Sequence, residues 1–96
     1  MKETSPQKPR LFATGPIVIT RAALETLTEK DVRHALARHM RGDWGNVSQE
    51  DWQSNDEALN QGCRLLSAWH AANGERFWVI TEADRSATTI LLPEDY

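Results

Sequence analysis

The chain has 96 residues, 40% of them apolar, and a formal charge of −3. That length holds one domain with one modest core, and mild acidity argues against a broad phosphate-binding surface, which needs clustered Lys and Arg. Cys63 is the single cysteine, which excludes an intramolecular disulfide and a thiolate zinc site. No apolar run approaches the ~18 residues of a membrane span and the N-terminus lacks a signal-type apolar stretch, so the reading is cytoplasmic.

In chain order, Met1 to Arg10 is polar, contains Pro6 and Pro9, and reads as a flexible tail ahead of a single domain over residues 11–96. Leu11-Phe12 and Ile17-Val18-Ile19 flank Gly15-Pro16. They predict one bent strand or two fragments, with Pro16 placing the segment at a sheet edge. Three helix starts follow. Thr20, Thr28 and Ser48 are each preceded by an apolar residue (Ile19, Leu27, Val47). Each is followed four positions on by another (Leu24, Val32, Trp52), the pattern of a capped N-terminus with a hydrophobic staple. Asp31 and Asp51 add carboxylates that suit the first turn. The second helix should run from about Glu29 to Arg41, with Val32, Ala35, Leu36 and Met40 in one stripe and Gly42 as its stop. The third should run from about Gln49 to Gln61, with a thin stripe of Trp52, Ala58 and Leu59 and a stop at Gly62.

From Arg64 to Tyr96 the pattern predicts a three-stranded antiparallel meander. Asn73-Gly74 and Asp84-Arg85 each separate two apolar-rich runs, and Asn-Gly is a strong hairpin signal. A two-residue turn at Asn73-Gly74 sets His70 opposite Phe77, Trp69 opposite Trp78 and Leu66 opposite Thr81. A tight turn at Asp84-Arg85 sets Thr81 opposite Thr88 and Val79 opposite Ile90. Both faces of such a ribbon are apolar. Helices can cover one. The other either lies under Trp44, Trp52 and the third helix, or exposes a Trp69–Trp78–Leu91 patch as an interface. The fold class is therefore α+β: a short N-terminal strand, two to three helices, then the meander.

Candidate sites are few. Glu82, Asp84, Arg85, Thr88 and their neighbours make a polar tip that suits either a turn or acid–base chemistry. His34 and His39 are five apart on the second helix, off the spacing of three or four that a shared metal requires; no metal or cofactor is expected. His70 sits ~10–13 Å along the strands from Thr81 in this register, too far to bond, which favours a half-buried ring against Phe77. Around Trp44, Gly42 and Gly45 permit a sharp turn that buries the indole, with Asp43 bonding local backbone; the same loop has the shape to display Trp44 to a partner.

The stretch HMRGDWGNVSQEDWQSNDEALNQGCRLLSAWH followed by NGERFWVITEADRSATTILLPEDY resembles a group of short proteins carried by plasmids, integrated elements and phages. These are labelled plasmid-related or "type I restriction endonuclease subunit M". The likeness covers about His39 to Tyr96 and is most specific in ITEADRS and TTILLPEDY. The label's methyltransferase chemistry needs a large α/β cofactor domain and an Asn/Asp-Pro-Pro-aromatic motif, and this chain has neither. The resemblance thus implies a setting, mobile DNA, more than a reaction.

Two functions fit. One is a non-catalytic accessory factor that binds another protein, for instance to inhibit a host defence complex. Its anchors would be drawn from Trp44, Asp43, Trp69, Trp78, Asp84 and Arg85, with a homodimer through an uncovered sheet face as a simpler variant. The other is a small ribonuclease toxin of the barnase or RelE kind using His70, Glu82, Arg85 and Thr88. Neither reading involves a membrane, and the first involves no direct nucleic-acid contact.

Overall fold

The computed structural model describes residues 10–96; the tail expected over residues 1–10 otherwise lies outside the described residues. The chain runs β1 (Ile17–Ile19), α1 (Arg21–Thr26), α2 (Glu29–His39), α3 (Gln49–Gln61), β2 (Leu65–His70), β3 (Arg76–Thr81), β4 (Thr88–Leu91) and a closing 3-10 turn at Pro93–Asp95. This is an α+β domain whose four strands form one sheet in the order β1-β4-β3-β2. The meander is antiparallel. β1 joins it at the edge, parallel to β4, with Ile17 beside Thr88 and Ile19 beside Ile90. Leu11 and Phe12 form no strand; the Leu11 N–H instead bonds the Met40 carbonyl at 2.9 Å.

The helices begin where their caps dictate. The Thr20 hydroxyl accepts from the Ala23 N–H at 3.2 Å and the Ser48 hydroxyl from the Asp51 N–H at 3.0 Å. Thr28 and Asp31 bond reciprocally at 3.1 and 3.0 Å, so orphan N–H groups are satisfied locally. α3 stops at Gly62 in the left-handed conformation, φ 69°. α2 stops at His39, short of the expected Arg41, because the Arg41 and Gly42 N–H groups turn back to the Arg38 and His39 carbonyls at 3.0 and 3.1 Å.

The β2–β3 register departs from the expectation by one residue. His70 lies opposite Arg76, Trp69 opposite Phe77 and Leu65 opposite Thr81. The loop is three residues, Ala72 to Gly74, rather than two. Ala71 and Glu75 close it, with Ala71 N–H on the Glu75 carbonyl at 2.8 Å and Gly74 N–H on the Ala71 carbonyl at 2.9 Å. Only Gly74 takes a positive φ, 89°, so Asn73-Gly74 serves as a turn followed by a glycine bulge, not as a primed two-residue turn. Because side chains alternate, one residue of slip moves all of β2 to the opposite faces. Trp69 and Trp78 therefore lie on opposite sides of the sheet, and no Trp69–Trp78–Leu91 patch exists. His70 and Thr81 no longer share a face either. The second hairpin keeps the expected register, Thr81 opposite Thr88 and Val79 opposite Ile90.

One face of the sheet is covered over most of its length. Phe77, Val79, Ile90 and Leu92 pack with Ala23 and Leu27 around α1 and with Ala35 of α2. A second cluster gathers Trp44, Ala58 and Leu65, with Phe12, Val47, Trp52 and Leu59 against it. The opposite face is partly open. Ile80 and Leu91 are buried there, while His70 and Arg76 are exposed. The C-terminal segment crosses it, with Tyr96 edge-on to Trp78 at 5.7 Å and in contact with Arg64. Thus neither α3 nor Trp44 and Trp52 covers this face.

α3 instead guards the outer edge of β2. The Asn55 side-chain amide accepts from the Leu66 N–H at 3.0 Å and donates to the Leu66 carbonyl at 2.9 Å. Two residues on, the loop after α2 takes over, with Ala68 N–H on the Trp44 carbonyl at 3.1 Å and Asn46 N–H on the Ala68 carbonyl at 2.7 Å. An edge that would otherwise template foreign strands is thereby paired within the chain. Replacing Asn55 with Ala leaves both Leu66 groups without partners and should lower the unfolding free energy by about 2–3 kcal/mol. Asn55→Asp keeps the acceptor but sets a carboxylate against the Leu66 carbonyl, and should cost no less. Urea unfolding of the two variants checks both.

Candidate functional site

The covered sheet face is not all apolar. His39, Ser67, Thr81 and Thr88 are buried together beneath α2, each at 0% exposure. The hydrogen bonds run in one line: Trp69 Nε1 to Ser67 Oγ (2.7 Å), Ser67 Oγ to His39 Nδ1 (2.6 Å), His39 Nε2 to Thr81 Oγ1 (2.9 Å), Thr81 Oγ1 to Thr88 Oγ1 (2.7 Å) and Thr88 Oγ1 to the Thr14 carbonyl (2.9 Å). Donor chemistry fixes every proton. A carbonyl only accepts, so Thr88 donates to Thr14 and must accept from Thr81. Thr81 must then accept from His39 Nε2–H. At the other end an indole N–H only donates, so Ser67 accepts from Trp69; burial keeps the imidazole uncharged, and with the ring proton on Nε2, Nδ1 accepts the Ser67 proton. His39 is therefore neutral, with its proton on Nε2.

Aromatic rings close over this imidazole. Phe12 and Trp44 each stand edge-on to it at 5.5 and 5.4 Å. Burial pushes the His39 pKa down from 6.5 to about 4, and the nearby Arg85 charge adds to the effect. Ser67 and His39 have the bonding of a nucleophile and its base, but with no exposed surface they offer no reaction to a substrate. The chain is structural.

Above the Trp69 end lies a cleft of about 200 Å³ between α2 and the first hairpin. Trp69, Phe77 and Ala35 form its apolar floor, and Thr28, Lys30, Asp31, His34, His70 and Ala72 its polar rim. Its parts are held from several sides. The Trp69 indole is fixed by its bond to Ser67. Gly45, at φ 70°, lies so close that a Cβ there would stand 3.0 Å from the indole and strike the Ala68 carbonyl. Asn46 Nδ2 donates to His70 Nδ1 at 2.7 Å, leaving Nε2–H as the imidazole's remaining polar group. Asp31 receives the Thr28 N–H on one oxygen at 3.0 Å and the Ala72 N–H on the other at 3.1 Å. These bonds, the Thr28 N–H foremost, hold its pKa below the usual carboxylate range. The same two bonds lock the hairpin loop to the start of α2.

The residues singled out from the sequence do not converge. Trp44 is fully buried, its indole N–H on Asp56 at 2.9 Å, so it presents no surface. Asp43 accepts from the Gly45 N–H at 3.0 Å and pairs with Arg38 at 3.4 Å. Trp69 floors the cleft, while Trp78 is half-buried on the far face. At the second hairpin tip Asp84 is exposed and accepts the Ser86 N–H at 3.0 Å; its pKa lies below the usual range through the Ser86 hydroxyl and N–H. Arg85 takes a positive φ of 63° and folds its guanidinium onto the Cys63 and Glu82 carbonyls at 2.7 and 3.0 Å, sealing the end of α3. Of the ribonuclease set, Thr88 is buried in the chain beneath α2, and His70 lies at the opposite end of β2 from the Glu82–Arg85 turn. Five residues of strand, ~17 Å, separate His70 from the residue opposite Thr81. Those four residues share no cleft.

The sequence reading passed over Asn55, Ser67 and Thr14 as site residues. Asn55 had a signal, since it falls between Trp52 and Ala58 on the inward stripe of α3. Ser67 and Thr14 become meaningful only once the β2 register is known. Among the described residues no group of three His, Cys, Asp or Glu side chains is placed to hold a metal, and no helix is long and apolar enough to cross a membrane. Searches against protein-family models, curated proteins and solved structures find no match to the chain.

His39 titrates at about 4 when folded and near 6.5 when unfolded. Between these values the unfolded chain binds the extra proton, so stability is full above pH 6.5 and falls as the pH drops toward 4. The loss should total about 3 kcal/mol. Urea unfolding across this window should show that slope, and His39→Gln should flatten it.

Proposed function

We propose that the protein is a non-catalytic binding module that docks onto another protein through the cleft between α2 and the first hairpin. The observation that carries this reading is where the reactive side chains go. His39, Ser67, Thr81 and Thr88 are sealed in one buried chain. Arg85 is spent on backbone carbonyls. Among the accessible features is a small concavity with a rigid aromatic floor and a polar rim, the geometry of an interface anchor pocket. Together with the resemblance to short plasmid and phage proteins, this supports an accessory factor of a mobile element, acting for instance by occupying a surface of a host defence complex.

Affinity capture from a host lysate tests the reading. Lys30→Glu combined with His34→Glu alters two exposed rim positions without touching the core. We expect the wild type to retain a protein that this variant loses, and Ser54→Glu, exposed on α3, to retain it. Capture that is indifferent to the cleft variant would remove the cleft as the docking site. RNA cleavage by the purified wild type would replace the binding reading with the nuclease one.

A further inference from the structure

The two edges of the sheet are finished differently. Its strand order makes β2 and β1 the outer strands. The outer side of β2 is occupied, by Asn55 at Leu66 and by the loop after α2 at Ala68. β1 has β4 on one side and, among the described residues, no strand on the other.

The bonding of β1 shows which of its groups face outward. The Thr88 N–H bonds the Pro16 carbonyl at 3.0 Å and the Thr20 N–H bonds the Ile90 carbonyl at 3.0 Å. Residues that bond a parallel neighbour alternate along the strand, so Pro16, Val18 and Thr20 turn their backbone groups toward β4. Ile17 and Ile19 turn theirs away from it. The usual devices that blunt an edge are missing on that side. β1 carries no charged side chain, and the donor that Pro16 lacks belongs to the β4 side, so it leaves the outer edge uninterrupted. Ile17 and Val18 are 47% and 46% exposed, and Leu24, on the helix that follows directly, is exposed too. α1 itself folds back over the sheet, with Ala23 fully buried in the core.

Such an edge accepts an extended backbone, and its composition says whose. A foreign strand is selected by charged or polar side chains, and Ile17-Val18-Ile19 offers none. The same tripeptide is complementary to itself. Paired antiparallel about a two-fold axis through Val18, Ile17 faces Ile19 of the second copy and exchanges both backbone bonds with it, which uses every outward group of both strands. Val18 meets Val18 at the closely spaced position on one face, and Ile17 meets Ile19 on the other. Each cross-strand pair is β-branched and apolar, and no like charges oppose.

We infer that β1 is the contact through which two copies of this chain join their sheets edge to edge. A strand of 3 residues with the side chains beside it falls short of the ~1,200–2,000 Å² of a standard interface, so the dimer is weak and concentration-dependent. The edge lies across the sheet from the cleft, and the pairing is independent of docking there.

Sedimentation equilibrium of the full chain from ~10 µM to ~1 mM tests this. The mean mass should rise from 10.9 kDa toward twice that value. Over the same range, amide hydrogen exchange at Ile17 and Ile19 should slow about threefold or more, while Val18, whose N–H faces β4, should keep one rate. Val18→Lys sets two ammonium groups together at the axis and should hold the chain monomeric, as should Val18→Glu. An equimolar mixture of the two should sediment as a dimer again, because unlike charges then meet. Ile17→Pro removes an outward donor without touching the bonds to β4, and should also abolish the rise in mass. A wild type monomeric at ~1 mM overturns the second copy as occupant and leaves the edge to a foreign strand. A dimer without protection of Ile17 and Ile19, read on the wild type and so independent of how any variant folds, overturns the edge. A mixture of folded lysine and glutamate variants that stays monomeric overturns the pairing about Val18.

Discussion

A neutral imidazole held between two hydroxyls organises this domain. His39 arrives from the last turn of α2, Ser67 from β2, Thr81 from β3, Thr88 from β4 and the Thr14 carbonyl from the segment before β1. Each contributes a polar group that would be costly to bury alone, by ~1–3 kcal/mol. Linked in one direction, all are satisfied, and each accepted proton polarises the next donor. Apolar packing would hold these elements together in several nearby arrangements. The hydrogen-bond line accepts only one, because a strand shifted by a single residue would bring Leu66 or Ala68 under His39 in place of Ser67. The arrangement thus supplies register as well as cohesion.

The same line connects the core to the surface. Its first donor is the Trp69 indole, which is also the cleft floor. A half-buried tryptophan on an outer strand would ordinarily sample several orientations. Here one polar atom is tied inward, and the loop after α2 lies against the ring through Gly45. That loop performs two tasks, since its backbone also pairs with the outer edge of β2 at Ala68. Edge protection and cleft rigidity are therefore a single piece of structure. A partner docking there would meet a floor already ordered, which keeps the entropy cost of binding low.

The sequence exposed those parts of the fold that are decided locally. Thr20, Thr28 and Ser48 cap helices that start within hydrogen-bond reach of them, and Gly62 ends α3 because only a left-handed residue continues the chain there. The second hairpin register was equally readable. The first was not, and the reason is physical. Asn-Gly fits a two-residue primed turn and also a turn with a glycine bulge, and the two differ by one residue. Hydrophobic alternation could not arbitrate, since Leu65-Ser67-Trp69 and Leu66-Ala68-His70 are similarly apolar. The buried chain and the cleft both depend on that register, so neither was legible. For Trp44 the flanking glycines suited either a buried indole or one displayed to a partner; the loop tucks it inward, where Asp56 receives its N–H.

The parallel pairing of β1 with β4 has a bearing on how the chain is made. β1 pairs with β4, some 70 residues later, and the Asp95 carboxylate ties the last turn back to Thr20 at 2.7 Å. A nascent polypeptide leaves the ribosome N-terminus first, so Ile17, Val18 and Ile19 emerge long before the strand they join has been translated. The helices and the first hairpin can form as they appear, because their bonds are short-range. The sheet cannot close until β4 has cleared the exit tunnel. Throughout that interval an apolar tripeptide waits without its neighbour, kept from indiscriminate pairing by its brevity and by Pro16. Completion of the sheet thus waits on β4, and premature stops anywhere before it yield a chain with an unmatched strand.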